Sequence, residues 1–167
     1  MKRRLKGMPT RNLKPLKNAP KSLWDSSNAC ADYLEAVKLD PDYWLRLADK
    51  YKEQGKLQEA INAYTEGINT KPEAFAYSNQ AAAYKESGDM KKALADLTKA
   101  IELEPSNHYY YGYRADFYSE RDKFGAAAVD YTTQIKLITE PEDKDDVALF
   151  LAYRDRGRAY YSIEKWD

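Results

Sequence analysis

Apolar side chains recur along residues 43–139 in one design, written three times. The stretches "YWLRLADKYKEQGKLQEAINAYTEGINTKP" (43–72), "AYSNQAAAYKESGDMKKALADLTKAIELEP" (76–105) and "YYGYRADFYSERDKFGAAAVDYTTQIKLIT" (110–139) align without gaps, at offsets of 33 and 34 residues. Trp44, Tyr77 and Tyr111 coincide, as do Ala48, Ala81 and Ala115, then Tyr51, Tyr84 and Tyr118, then Ala60, Ala93 and Ala127. Within each copy the aromatic and small positions return at the spacing of a helix's buried stripe. Each copy therefore predicts two antiparallel helices, with the alanines small where the helices approach most closely. Gly55 and Gly88 fall between the helices, where a left-handed backbone costs glycine little, and Asp122 takes that place in the third copy. Asp40-Pro41 and Thr70-x-x-Glu73 read as helix starts, the second as a capping box.

The repeat resembles the tetratricopeptide (TPR) family, whose pattern is W-x2-L-G-x2-Y, then A-x3-F, then P. The first copy matches through Trp44, Leu47, Ala48, Tyr51, Ala60, Tyr64 and Pro72; the second departs at Gln80 and Leu97, the third at Arg114 and Thr139. "SSNACADYLEAVKLDP" (26–41) aligns with a second helix through Ala29, Tyr33, Ala36 and Pro41, and "FLAYRDRGRAYYSIEKWD" (150–167) with a first helix through Tyr153, Gly157 and Tyr160. The resemblance implies an all-α, right-handed α-solenoid of antiparallel helix pairs, three full repeats flanked by half-repeats. The expected divisions are a basic arm (1–23), a half-repeat (24–41), repeats at 42–73, 74–107 and 108–141, an acidic linker or helix extension (142–149) and a half-repeat (150–167).

In this family the first helix of each unit lines a concave groove, which makes a peptide segment of a partner protein the expected ligand. The groove residues expected are Leu45, Arg46, Asp49 and Lys52, then Phe75, Asn79 and Lys85, then Tyr109, Tyr113 and Asp116, then Arg154 and Arg158. In "HYYYGYRADFY" (108–118) the helical period sends Tyr111 and Tyr118 to the core, Tyr110 and Phe117 between helices, and Tyr109 and Tyr113 to the groove, where Gly112 leaves room for a ligand. Asp49 and Asp116 offer acceptors to a basic or amide-bearing peptide. Chaperone-binding members use a clamp of Lys, Asn, Asn, Lys and Arg around two carboxylates. Only Asn79 fits that set; Leu45, Asp49, Tyr109 and Tyr113 hold the other places, so an acidic chaperone tail is not the expected ligand.

Charge changes the picture at one end. The chain balances 27 basic against 27 acidic residues, but residues 1–21 hold eight basic groups and no acid, leaving the remainder with a net charge of −8. With Pro9, Pro15 and Pro20 and few apolar residues, the arm is expected to be disordered. It is open to four readings: a solubilising tail, a contact for nucleic acid, a contact for an anionic membrane surface, or a pseudo-ligand of its own groove. The exposed ends, Tyr153, Tyr160 and Trp166 on one and Ala29, Tyr33 and Ala36 on the other, suggest head-to-tail self-association or a cut through a longer array.

Chemistry is scarce. One Cys (Cys30) and one His (His108) supply no metal set or nucleophile–base pair, "EPEDKDD" lacks the order of a calcium loop, and no glycine-rich phosphate loop occurs. An enzyme, a cofactor and a metal are not expected. A lone cysteine and a mean hydropathy of −0.83 fit a cytoplasmic location and an elongated fold.

Overall fold

The computed structural model describes residue 40, residues 42–139 and residues 145–166. The basic arm, the N-terminal half-repeat with Cys30, and Trp166's side chain lie outside what it describes. Seven helices follow one another with no strand among the described residues: α1 (Tyr43–Glu53), α2 (Leu57–Thr70), α3 (Ala74–Glu86), α4 (Met90–Leu103), α5 (His108–Ser119), α6 (Phe124–Thr139) and α7 (Asp146–Trp166). Each packs chiefly on its neighbours in sequence, which is the architecture of a helical solenoid.

The aligned alanines explain the tight pairing. Ala48 and Ala60, Ala81 and Ala93, and Ala115 and Ala127 are all 0% exposed. A leucine at any of them would overpack the helix pair, at a cost of about 1–3 kcal/mol. Trp44 and Tyr64 fill the first pair, Leu97 the second and Tyr131 the third. The turns close as the spacing predicts: Gly55 (φ 70°), Gly88 (φ 86°) and Asp122 (φ 56°) take the left-handed conformation at equivalent places.

Helix starts are less regular. Asp89, Asn107 and Asp145 cap α4, α5 and α7 by accepting backbone N–H groups. The Thr70–Glu73 capping box does not form. Thr70 still belongs to α2 and donates its hydroxyl to the Glu66 carbonyl, while Glu73 precedes α3 with no side-chain cap and pairs with Lys71.

Three departures from the family pattern, all at one place, have a structural use. Gln80, Arg114 and Arg156 occupy the same place in successive first helices, and each donates to a threonine of the preceding second helix: Thr65 (2.6 Å), Thr98 (3.2 Å) and Thr132 (3.3 Å). A hydrogen-bonded stitch thus replaces the usual leucine between repeats. Arg114 also grips Asp130 with two bonds, at 2.8 and 2.9 Å.

Candidate functional site

Three concavities run side by side along one wall. The first, about 450 Å³, spans Lys52 of α1, Asn79 and Lys85 of α3, Leu97 below them, and Tyr113 and Asp116 of α5. The second, about 300 Å³, lies between Tyr109, Tyr113 and Asp116 of α5, Tyr131 and Gln134 of α6, and Leu151 and Arg154 of α7. The third, about 340 Å³, continues past Asp116 to Arg158. Asp116 borders all three, so they form one continuous groove faced by α1, α3, α5 and α7.

The wall brings together Lys52, Asn79, Lys85, Tyr109, Tyr113, Asp116, Arg154 and Arg158 from the expected set. Leu45 does not join them. It is 5% exposed and lies over Gly67 of α2, close enough that a Cβ there would sit 2.8 Å from its Cδ2. Arg46 is exposed but turned to an ion pair with Asp40. Phe75 stands 41% exposed, outside the three concavities. It aligns with Tyr109 (48%) and Leu151 (38%), so exposed apolar groups occupy one repeat position in three successive first helices.

Two expectations for α5 need correction. Tyr110 and Phe117, not Tyr111 and Tyr118, are the buried rings of this helix. Tyr110 packs with Ala74, Ala100 and Ile101, and Phe117 with Ala81, Ala93 and Leu97, all from the preceding repeat. Tyr111 and Tyr118 are half-buried, and the Tyr111 hydroxyl reaches the Pro105 carbonyl. Gly112 does not open space for a ligand either. A Cβ there would meet Gln134 Nε2 at 2.6 Å, because the Gln134 side chain already fills that gap. Leu45 over Gly67 and Gln134 over Gly112 are the same pair of positions with large and small exchanged, a compensation visible only once the helices are paired.

A second compensating pair joins first and second helices, at the groove wall for Asp116 and outside the three concavities for the expected groove residue Asp49. Asp49 accepts a hydrogen bond from the Tyr64 hydroxyl, and Asp116 accepts one from Tyr131 at 2.6 Å. In the middle repeat the two places hold Ala82 and Leu97, both lining the first concavity. Burial, then the neighbouring carboxylate, pushes both Tyr64 and Tyr131 above the usual phenol range, so each keeps its proton to donate. Asp116 still touches solvent, yet crowding by the groove walls pushes its carboxyl above the usual range. Asp155 and Glu120 add to that push, while Tyr131 and Lys85 oppose it.

The other charges are largely matched. Lys85 pairs with Glu120 and lies 4.7 Å from the centre of the Phe117 ring. Arg154 and Arg158 both bind Asp155. Tyr109 donates to Asp145 at 3.1 Å and stacks on His108, whose imidazole burial holds below its usual range. Sequence reasoning missed Asp145 and Leu151: an N-cap just ahead of a helical pattern was the available signal, hidden in an acidic run. Among the described residues no group of His, Cys, Asp and Glu is arranged to hold a metal ion, and no helix is long and apolar enough to cross a membrane.

Comparison with known proteins agrees with the helical reading. Tetratricopeptide repeat models match residues 42–73 and 74–107. No curated protein sequence matches the chain. Among solved structures, the first TPR domain of human RPAP3 is similar at 29% identity and a TM-score of 0.60, over 75% of this chain and 98% of that one. The first TPR of Spaghetti (RPAP3), bound to the HSP90 peptide SRMEEVD, is similar at 27% identity and a TM-score of 0.61, over 75% and 96%. The Arabidopsis OM64 TPR domain is similar at 26% identity and a TM-score of 0.58, over 71% and 93%.

Proposed function

Because this chain belongs to the tetratricopeptide repeat family, we propose that it is a non-enzymatic protein-interaction module that binds a peptide segment of a partner in the groove faced by α1, α3, α5 and α7. The observation that carries this reading is the continuity of the three concavities through Asp116, with Tyr113 half exposed where the first two meet and Tyr109 half exposed in the second. Tyrosine suits a peptide anchor: its ring covers a large area at small entropic cost, and its hydroxyl satisfies a polar neighbour. The related Spaghetti domain, which holds a peptide, supplies a precedent. An acidic chaperone tail is not favoured as the ligand here, since Leu45 is buried and Asp49 is a carboxylate where the clamp needs an amide.

A groove of this length suggests micromolar affinity, about −8 kcal/mol. The test is affinity capture with the wild type beside a Tyr109→Ala, Tyr113→Ala double variant, followed by calorimetry on whatever the variant loses. Each alanine is expected to cost about 1–3 kcal/mol of binding. A partner bound equally by both proteins would remove the groove from the account.

One observation favours a second reading, assembly. Among the described residues no helix covers the Tyr153–Gly157–Tyr160 stripe of α7: both tyrosines are about half exposed and nothing approaches the Gly157 Cβ position within 4 Å. Residues 26–41 of another copy have the pattern of such a helix. Strict monomer scattering at high concentration would dismiss this reading.

A further inference from the structure

At the α5–α7 end the groove becomes a small chamber with an unusual balance of charge. Tyr109 and Tyr113, 48% and 50% exposed, form its α5 side and Leu151 its far edge. Tyr109 is not a free surface ring, because its hydroxyl is bonded to Asp145, which also caps α7 through the Ala148 N–H. The nearby cations are occupied: Arg154 and Arg158 by Asp155, and Lys85 by Glu120. Asp116 differs. Its Oδ1 takes the neutral Tyr131 hydroxyl, and its other oxygen is left for a ligand.

Resting on the peptide-groove reading above, we propose that this chamber receives a lysine or arginine side chain from an extended basic segment of a partner protein. Asp116 accepts the cation's N–H, and the rings of Tyr109 and Tyr113 take its stem and charge. The chemistry selects this class over its alternatives. An acidic side chain would meet Asp116 directly. A purely apolar one would cover a carboxylate whose hydrogen bond comes from a neutral hydroxyl, while Lys85 and Arg154 nearby are bonded to other acids. A cation relieves both, and tyrosine rings attract cations without needing a fixed donor geometry. Burial first, then Asp155 and Glu120, holds the Asp116 carboxyl above its usual range against the opposing pull of Tyr131 and Lys85, and a cation bonded to it would offset that push.

The test uses the full chain and a soluble library of random dodecapeptides, with the bound fraction sequenced at low and at physiological salt. Lysine and arginine are expected to be enriched at one or more positions, and Asp116→Asn to reduce that enrichment about fivefold or more. The asparagine keeps an acceptor for Tyr131, and thermal melts check that it stays folded. Tyr113→Leu, which keeps bulk but not the ring, is expected to weaken the same preference. Enrichment of Asp or Glu would overturn the cation chamber while leaving the groove reading standing. Basic enrichment unchanged in both variants would place those peptides elsewhere and also overturn it. Recovery of no peptide by any form of the chain would overturn both readings. A further arm uses the full chain with the eight basic residues of 1–21 changed to serine. If only that protein recovers basic peptides, the chain's own arm is the occupant and a partner's segment is ruled out.

Discussion

Repeats two and three place an aspartate at the same point of their second helices and treat it in opposite ways. Asp130 is buried, and Arg114 of the paired helix holds it with two hydrogen bonds. Asp96 has Gln80 at that place instead, and Gln80 turns away to Thr65 and the Ile61 carbonyl. Asp96 Oδ2 is buried with no hydrogen-bond partner. Burial lifts its pKa to about 7, with only Lys92 pulling it down. The lesson is that a repeat protein can conserve a geometry while changing its electrostatics, because each interface is settled locally between two neighbouring helices.

The largest expected effect comes from breaking the matched copy. Arg114→Leu, which restores the family's usual residue, strands Asp130 as an unpaired buried charge. It should cost about 3–5 kcal/mol in urea unfolding at pH 8. An equal stability for the variant would mean that Asp130 relaxes into water.

Next comes relieving the unmatched copy. The folded pKa of Asp96 lies above its unfolded value near 3.8, so its contribution to stability is fully present below about pH 4 and is lost as pH rises through about 7. Asp96→Asn should therefore stabilise the chain relative to wild type at pH 8, by about 1–3 kcal/mol, with the difference shrinking toward pH 4. Thermal melts of both proteins across that range check the slope. A pH-independent difference would contradict the assignment.

Smaller still is converting one copy into the other. Gln80→Arg offers Asp96 the partner that Asp130 enjoys, but gives up the Gln80 bonds, so its net effect at pH 8 should be within about 1 kcal/mol. Its signature is the Asp96 titration, read by NMR, falling back toward the ordinary carboxylate range. The aspartate–tyrosine pair offers a parallel exchange. Ala82→Asp with Leu97→Tyr together should be less damaging than the sum of the two single changes, with a coupling of about 0.5–3 kcal/mol, since Asp49–Tyr64 and Asp116–Tyr131 already occupy those places.

Much of the fold is legible in the sequence because it rests on short-range rules. The helical period, the small alanines and the left-handed turns at Gly55, Gly88 and Asp122 each depend on one unit alone. What the period does not resolve is how neighbouring helices share space. It places Leu45 on the groove side because nothing local says that Gly67 gives it somewhere to fold. It reads Gly112 as an opening because Gln134, which fills the gap, belongs to another helix. Tyr111 is half-buried rather than core for the same reason: a step of about 100° on the helix axis puts Tyr110, expected between helices, deepest against the preceding repeat. The sequence offers Asp49 and Asp116 as acceptors for a peptide, but does not show that each already accepts from a tyrosine fifteen positions on. That aspartate–tyrosine pairing, replaced by Ala82 and Leu97 in the middle repeat, is a covariation present in the sequence but meaningful only after the helices are docked.

The most direct test is amide chemical-shift mapping on the full chain during titration with a bound peptide, either captured from a partner or recovered from the random library. The account predicts that the largest shifts fall on the groove faces of α3, α5 and α7, at Asn79, Tyr113, Asp116 and Arg154, with saturation in the micromolar range. Shifts confined to the outer helices α2, α4 and α6 would contradict it.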